Sequence, residues 1–182
     1  LGKTSLYQQT LKRFAGAGFA EPLVMTAEDF RFMATEQAAE IGLTDARVVI
    51  EPVSRDTAPA ILAAAVILER DTPGAMMLVA PSDHVIADLP AFLKAVEAGK
   101  DALTEESTLV AFGVTPDRPE TGYGYLELAC APERDRPAVL KSFREKPDLE
   151  AAQDMLASGR YLWNAGLFLF RAADVIAAFE TH

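Results

Sequence analysis

Five short segments of this chain stand out for residues suited to chemistry. They are Glu51-Pro52-Val53-Ser54-Arg55-Asp56-Thr57-Ala58-Pro59, Pro81-Ser82-Asp83-His84, Thr121-Gly122-Tyr123-Gly124-Tyr125, Phe143-Arg144-Glu145-Lys146-Pro147 and Trp163-Asn164-Ala165-Gly166. Asp83 follows the apolar run Met76 to Ala80. A carboxylate there suits a hard divalent cation, which takes one or two carboxylates and fills its other positions with further oxygens. It equally suits a residue that turns the chain after Pro81. His84 has no second candidate metal ligand near it, so packing is the better account. Lys146 offers a cation and Glu145 an acceptor. Neighbours in a strand point to opposite faces, so the strand must end or bend here for both to act together, and Pro147 supplies the reason. An exposed ion pair before a turn is the alternative. Gly122 either lets backbone approach a ligand or serves a hairpin turn. Asn164 combines a donor with an acceptor, as hydroxyl groups require, and Trp163 reads as packing.

The elements that must carry these residues alternate. Ser5 to Phe14 reads as a helix, with Ser5 and Gln8 as a capping box and Tyr7, Leu11 and Phe14 on one face. Pro22 to Thr26 is a short strand. Glu28 to Ile41 is an amphipathic helix with Phe30, Met33, Ala34, Gln37, Ala38 and Ile41 along one stripe, and Gly42 stands where a C-terminal cap belongs. Arg47 to Glu51 is a strand, Thr57 caps a helix over Ala58 to Arg70 with Pro59 in its first turn, and Ala75 to Ala80 is a strand. Pro90 to Ala102 is a helix and Thr108 to Gly113 a strand. The rhythm then changes. Gly122 to Leu128 and Ala138 to Arg144 read as consecutive strands, Asp148 to Ser158 as a helix, Gly166 to Phe170 as a strand, and Ala172 to Phe179 as a final helix. Alternating helices and apolar strands imply a parallel sheet covered on both faces, with a β insertion in the second half of the domain. Ligands of such sheets bind beyond the carboxyl ends of the strands, where four of the five segments fall. No linker interrupts the chain, so residues 1–182 read as one domain.

Composition limits the choices further. Half of the 182 residues are hydrophobic, enough for a sizeable core, and the net charge is −10. So acidic a chain repels phosphate backbones, which argues against nucleic-acid binding, while a small phosphorylated molecule can still be held by local cations. Cys130 is the one cysteine, so no internal disulfide can form, which fits a cytoplasmic setting. No run is long enough for a membrane helix, and no signal peptide opens the chain. The sequence begins without Met, and the expectation is that it starts inside a larger protein.

In this order, and with Arg55-Asp56-Thr57-Ala58-Pro59-Ala60 and Arg118-Pro119-Glu120-Thr121-Gly122-Tyr123-Gly124-Tyr125, the segments resemble the bacterial mannose-1-phosphate guanylyltransferases. These are members of the sugar-phosphate nucleotidyltransferases. The resemblance extends from Leu1-Gly2-Lys3-Thr4-Ser5-Leu6 to Phe168-Leu169-Phe170-Arg171. It implies an α/β fold, a Rossmann-like three-layer α/β/α domain with a mixed, mostly parallel sheet. It implies transfer of GMP from GTP to mannose 1-phosphate, giving GDP-mannose and pyrophosphate, with Mg²⁺ as cofactor. By the same resemblance Asp83 would hold the metal, and Lys146 would grip the sugar phosphate as the second catalytic residue. Gly122, Glu145 and Asn164 would serve the sugar, and Glu51, Arg55, Asp56 and Thr57 the guanine nucleotide. A homo-oligomer is left open.

The chain departs from the family pattern in three places. The family opens with a strand and a Gly-rich loop, bearing Arg and Lys, that grips the triphosphate; this chain begins just after it. A later acidic residue that shares the metal would lie beyond His182. The usual Arg-Asn-Thr-Ala-Pro-Ala has Asp56 for Asn, which keeps an acceptor oxygen but removes an amide donor. The 182 residues alone are therefore expected to be inactive. Two other readings stand beside the main one: a nucleotidyltransferase for another hexose phosphate or base, and an inactive homologue with a binding role.

Overall fold

A computed structural model describes residues 4–16, 18–53, 57–103, 108–133 and 136–181. The chain packs as two compact units. The first comprises residues 1–75, 81–89 and 171–182; the second comprises residues 76–80 and 90–170.

The first unit begins with α1, Leu6–Phe14. Its capping box forms as the sequence predicts: the Ser5 hydroxyl accepts from the Gln8 amide, and the Gln8 side chain accepts from the Ser5 amide. Of the expected Tyr7, Leu11, Phe14 stripe, Leu11 is buried and the two aromatics are half-buried, and the buried face extends beyond it. Gln8, Thr10, Leu11 and Arg13 are the buried residues. The physical reason is what α1 packs against, which is polar. Gln8 Nε2 donates to the Gln37 carbonyl at 3.1 Å and to Glu40 Oε2 at 2.6 Å, while Thr10 and Arg13 bond the backbone of a loop.

Strand β1, Leu23–Ala27, and strand β2, Arg47–Glu51, pair in parallel from Leu23↔Arg47 to Ala27↔Glu51. Between them the expected single helix is split into a short 3₁₀ turn, Glu28–Phe30, and α2, Arg31–Glu40. Ala34 and Ala38 of its predicted stripe are buried, but Phe30 and Met33 are about half exposed. The side of α2 that meets α1 carries Ala34 and Gln37, whose carbonyls accept from the Tyr7 hydroxyl and the Gln8 side chain. Gly42 ends this helix region at φ +82, a left-handed conformation that glycine adopts without penalty. Thr57 belongs to helix α3, Thr57–Asp71, and so is a helical residue and not the expected cap. The helix packs through its alanines against α6, Ala172–Thr181.

The second unit holds a five-stranded sheet. Its order is β3 (Met76–Val79), β7 (Tyr161–Arg171), β5 (Tyr125–Leu128), β6 (Leu140–Arg144), with β4 (Val110–Val114) also paired to β7. Pairings β4–β7, β5–β6 and β5–β7 are antiparallel. With the parallel β1–β2 pair the fold is α/β with mixed pairing, as expected. However, β4–β7, β5–β6 and β5–β7 are antiparallel where a mostly parallel sheet is expected, because β5 and β6 follow each other without a crossover helix and both β4 and β5 pair β7 in the opposite sense. Helices α4, Leu89–Ala102, and α5, Leu149–Ser158, complete the unit. Asp148 caps α5 by accepting from the Ala151 amide. A core of Tyr125, Ala152, Met155 and Trp163 ties α5 to the sheet. Strand β7 is longer than predicted, because it begins at Tyr161 and takes in Trp163 and Asn164. No described helix is long and apolar enough to cross a membrane.

Candidate functional site

In the second unit the hydrogen-bonded ladder brings two of the predicted residues, Glu145 and Asn164, beside Gly124. The predicted Gly122 lies outside that row, in the loop before β5, with its amide bonded to Glu120. Tyr125 pairs with Arg144 on one side and with Trp163 on the other. One step further along the same register stand Gly124, Glu145 and Asn164. The Asn164 amide donates to the Gly124 carbonyl at 2.8 Å, which continues the row past the last strand pair. A Cβ on Gly124 would come within 2.6 Å of the Phe143 ring and 3.1 Å of Glu145 Oε2, so only glycine permits this close approach. Asn164 Oδ1 accepts from the Gly166 amide, and its Nδ2 donates to nothing among the described residues.

Lys146 follows directly, and the strand ends before it. β6 stops at Arg144, and Lys146 adopts φ +38, a region that side chains other than glycine enter rarely. It is the one non-glycine residue with positive φ among the described residues. Such strain persists only where the surroundings hold it, and it collects at functional sites. The conformation removes the alternation that would have sent Glu145 and Lys146 to opposite faces. Their charged ends meet at 3.2 Å, both more than half exposed, so the pair costs little to open.

The loop before β5 is pinned from several sides. The Tyr125 hydroxyl donates to the Glu120 carbonyl at 2.8 Å and accepts from the Glu120 amide at 3.0 Å. Glu120 Oε1 accepts from the Gly122 amide at 3.0 Å, and that bond together with Arg118 holds its carboxyl below the usual range. Arg118 pairs with Asp117 and Glu120 and lies 5.0 Å over the Trp163 ring. Tyr123 meets the same ring edge-on. Trp163 is buried as expected, with its indole nitrogen unpaired among the described residues. The sequence reading assigned no role to Arg118, Glu120 or Tyr125. Their charges and hydroxyl lie within the quoted Arg118 to Tyr125 segment, but only the folded loop reveals what they hold. An apolar groove of about 900 Å³ in this unit, lined by residues such as Ala98, Phe112, Leu128, Val139 and Leu162, contains none of the candidate residues.

The first unit carries the others. Glu51 is half-buried at the carboxyl end of β2, opposite Ala27. Thr57 is exposed at the start of α3. Arg55 and Asp56 lie outside the described residues. Asp83 is exposed, and its carboxylate has no partner among the described residues, whereas the backbone on both sides of it is held by α1. No three His, Cys, Asp or Glu converge as a metal cage among the described residues. A lone unpartnered carboxylate nevertheless fits Mg²⁺, which commonly takes one or two carboxylates and completes its shell with phosphate oxygens and water.

The chain matches the nucleotidyl transferase family over residues 1–182, and it belongs to that family. It is 45% identical over 184 residues to a mannose-1-phosphate guanylyltransferase of Sinorhizobium fredii, covering 100% of this chain and 36% of that protein. It is 40% identical over 178 residues to the mannose-1-phosphate guanylyltransferase of Escherichia coli, covering 97% of this chain and 38% of that one. Among solved structures it superposes on a mannose-6-phosphate isomerase from Helicobacter pylori with a TM-score of 0.85 and 31% identity, covering all of this chain and 68% of that one. The chain thus spans somewhat more than a third of the length of these two guanylyltransferases.

Proposed function

We propose that residues 1–182 act as one nucleotidyltransferase domain, in a protein that transfers GMP from GTP to mannose 1-phosphate. The observation that carries this reading is the row Gly124, Glu145, Asn164 with Lys146 on left-handed backbone beside it. A carboxylate and a free carboxamide donor suit sugar hydroxyls, and an adjacent ammonium suits the sugar's phosphate. The identity to two guanylyltransferases across nearly the whole chain supports the same conclusion.

In the proposed reaction a phosphate oxygen of mannose 1-phosphate attacks the α-phosphorus of GTP. The new P–O bond forms as the bond to the β-phosphate breaks, and pyrophosphate leaves. The nucleophile is already ionised at neutral pH, so no general base is required. The barrier is repulsion between two anions and charge on the leaving group, which alignment and fixed cations lower. Lys146 offsets the sugar phosphate's charge as the anions approach. Gly122, Glu145 and Asn164 orient the hexose. Glu51, Arg55, Asp56 and Thr57 hold the nucleotide, with the acidic groups accepting from the guanine N1–H and 2-amino donors. Asp83 would hold a divalent cation, which would supply positive charge to neutralise the triphosphate. The setting that supplies both substrates is the cytoplasm.

The test is pyrophosphate release by the natural-length protein, with GTP or ATP combined with mannose 1-phosphate, glucose 1-phosphate or mannose 6-phosphate. The GTP and mannose 1-phosphate pair should give the highest kcat/KM. Equal rates with ATP would remove the reason for assigning guanine to Glu51 and Asp56.

A further inference from the structure

Helix α1 buries a charge that no acid balances among the described residues. Arg13 is 9% exposed, and among the described residues no carboxylate pairs with it. Its guanidinium donates instead to two neutral oxygens: the His84 carbonyl from Nη2 at 2.8 Å, and Thr10 Oγ1 from Nη1 at 3.4 Å. The Thr10 hydroxyl, buried as well, donates to the Ser82 carbonyl at 3.4 Å. Burial without a counter-charge lowers the Arg13 pKa. A guanidinium is costly to bury, and a planar fork is suited to reaching two acceptors at once.

The two carbonyls so held belong to Ser82 and His84, the residues immediately before and after Asp83. The peptide leaving Ser82 and the peptide leaving His84 both have their carbonyls bonded from α1, while the Asp83 carboxylate between them is exposed and has no partner among the described residues. A structural loop would be expected to use its own acidic side chain to close its turn. Here α1 supplies the restraint and leaves the carboxylate free. We infer that Arg13, acting with Thr10, is a positioning residue that holds the Ser82–His84 backbone so that Asp83 presents its carboxylate to a divalent cation. The inference rests on the proposed role of Asp83 as metal ligand.

The experiment uses the natural-length protein without the sugar phosphate, so that no turnover enters the readout. GTP binding is titrated by calorimetry across a range of Mg²⁺ concentrations, and hydrogen exchange is followed in the peptide spanning residues 81–86. Outer-shell partners of a metal ligand are commonly worth about 10–100-fold in metal affinity. Arg13→Met should raise the Mg²⁺ concentration for half-maximal GTP binding by roughly that factor and speed exchange in the peptide. Arg13→Lys should recover part of the loss, and Thr10→Val should shift Mg²⁺ dependence less, in the same direction. In an Asp83→Asn background, Arg13→Met should add no further shift, because its effect passes through Asp83. Wild-type Mg²⁺ dependence in Arg13→Met, with Asp83→Asn strongly shifted, overturns the brace and leaves Asp83 as ligand. Wild-type Mg²⁺ dependence in Asp83→Asn removes the ligand assignment, and the inference with it. If Arg13→Met does not fold, Thr10→Val decides: an unchanged Mg²⁺ requirement there overturns the proposal.

Discussion

The two units hold their candidate residues by different means. In the second unit Gly124, Glu145 and Asn164 are set by strand register, one step past Tyr125, Arg144 and Trp163. In the first, Asp83 is set by side chains reaching from α1 to a loop more than 70 residues away in sequence. A ladder positions residues through many backbone bonds, and losing one side chain leaves the rest in place. A brace concentrates the same task in two side chains. Substitutions in the brace around Asp83 should therefore act through individual hydrogen bonds, and those at Gly124 in the row through packing.

The largest effect should come from the first unit. Asp83→Asn keeps the size and removes the charge, so turnover of the natural-length protein should fall on the order of 10²–10³-fold, with an unchanged melting temperature. Full activity at low Mg²⁺ would show that the held loop presents no ligand. Next comes Gly124→Ala. The new methyl meets the Phe143 ring, so the protein should lose about 1–3 kcal/mol in urea unfolding and show a raised KM for mannose 1-phosphate. An unperturbed KM would separate the row from the sugar. The smallest effect concerns pH. Hydrogen bonds from Arg70, then Arg47, pull the Asp71 carboxyl down to about 2, below its ordinary value near about 4. A depressed carboxylate stabilises the fold above its unfolded pKa, and that contribution is lost as pH falls through the folded one. The stability gap between wild type and Asp71→Asn should thus be present near about pH 6 and close as pH drops from about 4 to about 2. Glu127 in the second unit, depressed by Lys141 and Ser142, should behave in the same direction. A gap that persists at low pH would mean that Asp71 acts through packing instead.

The same contrast decides what could be read in advance. Strand and helix succession follows from local periodicity, and the capping box at Ser5 and Gln8 is a local signal as well. The bend at Glu145 and Lys146 was legible because two adjacent charged residues before proline cannot share a face of a continuing strand. The start of β7 was not legible from Gly166, since Trp163 and Asn164 extend by pairing with strands distant in sequence. On α1 periodicity finds Leu11 but not Gln8, Thr10 and Arg13, because their partners are backbone carbonyls and the Glu40 carboxylate, to which apolar periodicity is blind. No pattern in the sequence marks out Arg13. Its burial depends on Ser82 and His84, and no spacing rule connects them.

The division between the units is tested most directly at Lys146, in the natural-length protein. Lys146→Met keeps most of the side chain's length and deletes the cation, so stability should change little. Isothermal titration of wild type and variant, with Mg²⁺-GTP alone and with mannose 1-phosphate alone, separates the two substrates. The account predicts mannose 1-phosphate affinity reduced roughly tenfold or more, GTP affinity within about twofold of wild type, and turnover down by roughly two to three decades. Lost GTP affinity with an unchanged affinity for mannose 1-phosphate would contradict it, and would assign this lysine to the nucleotide.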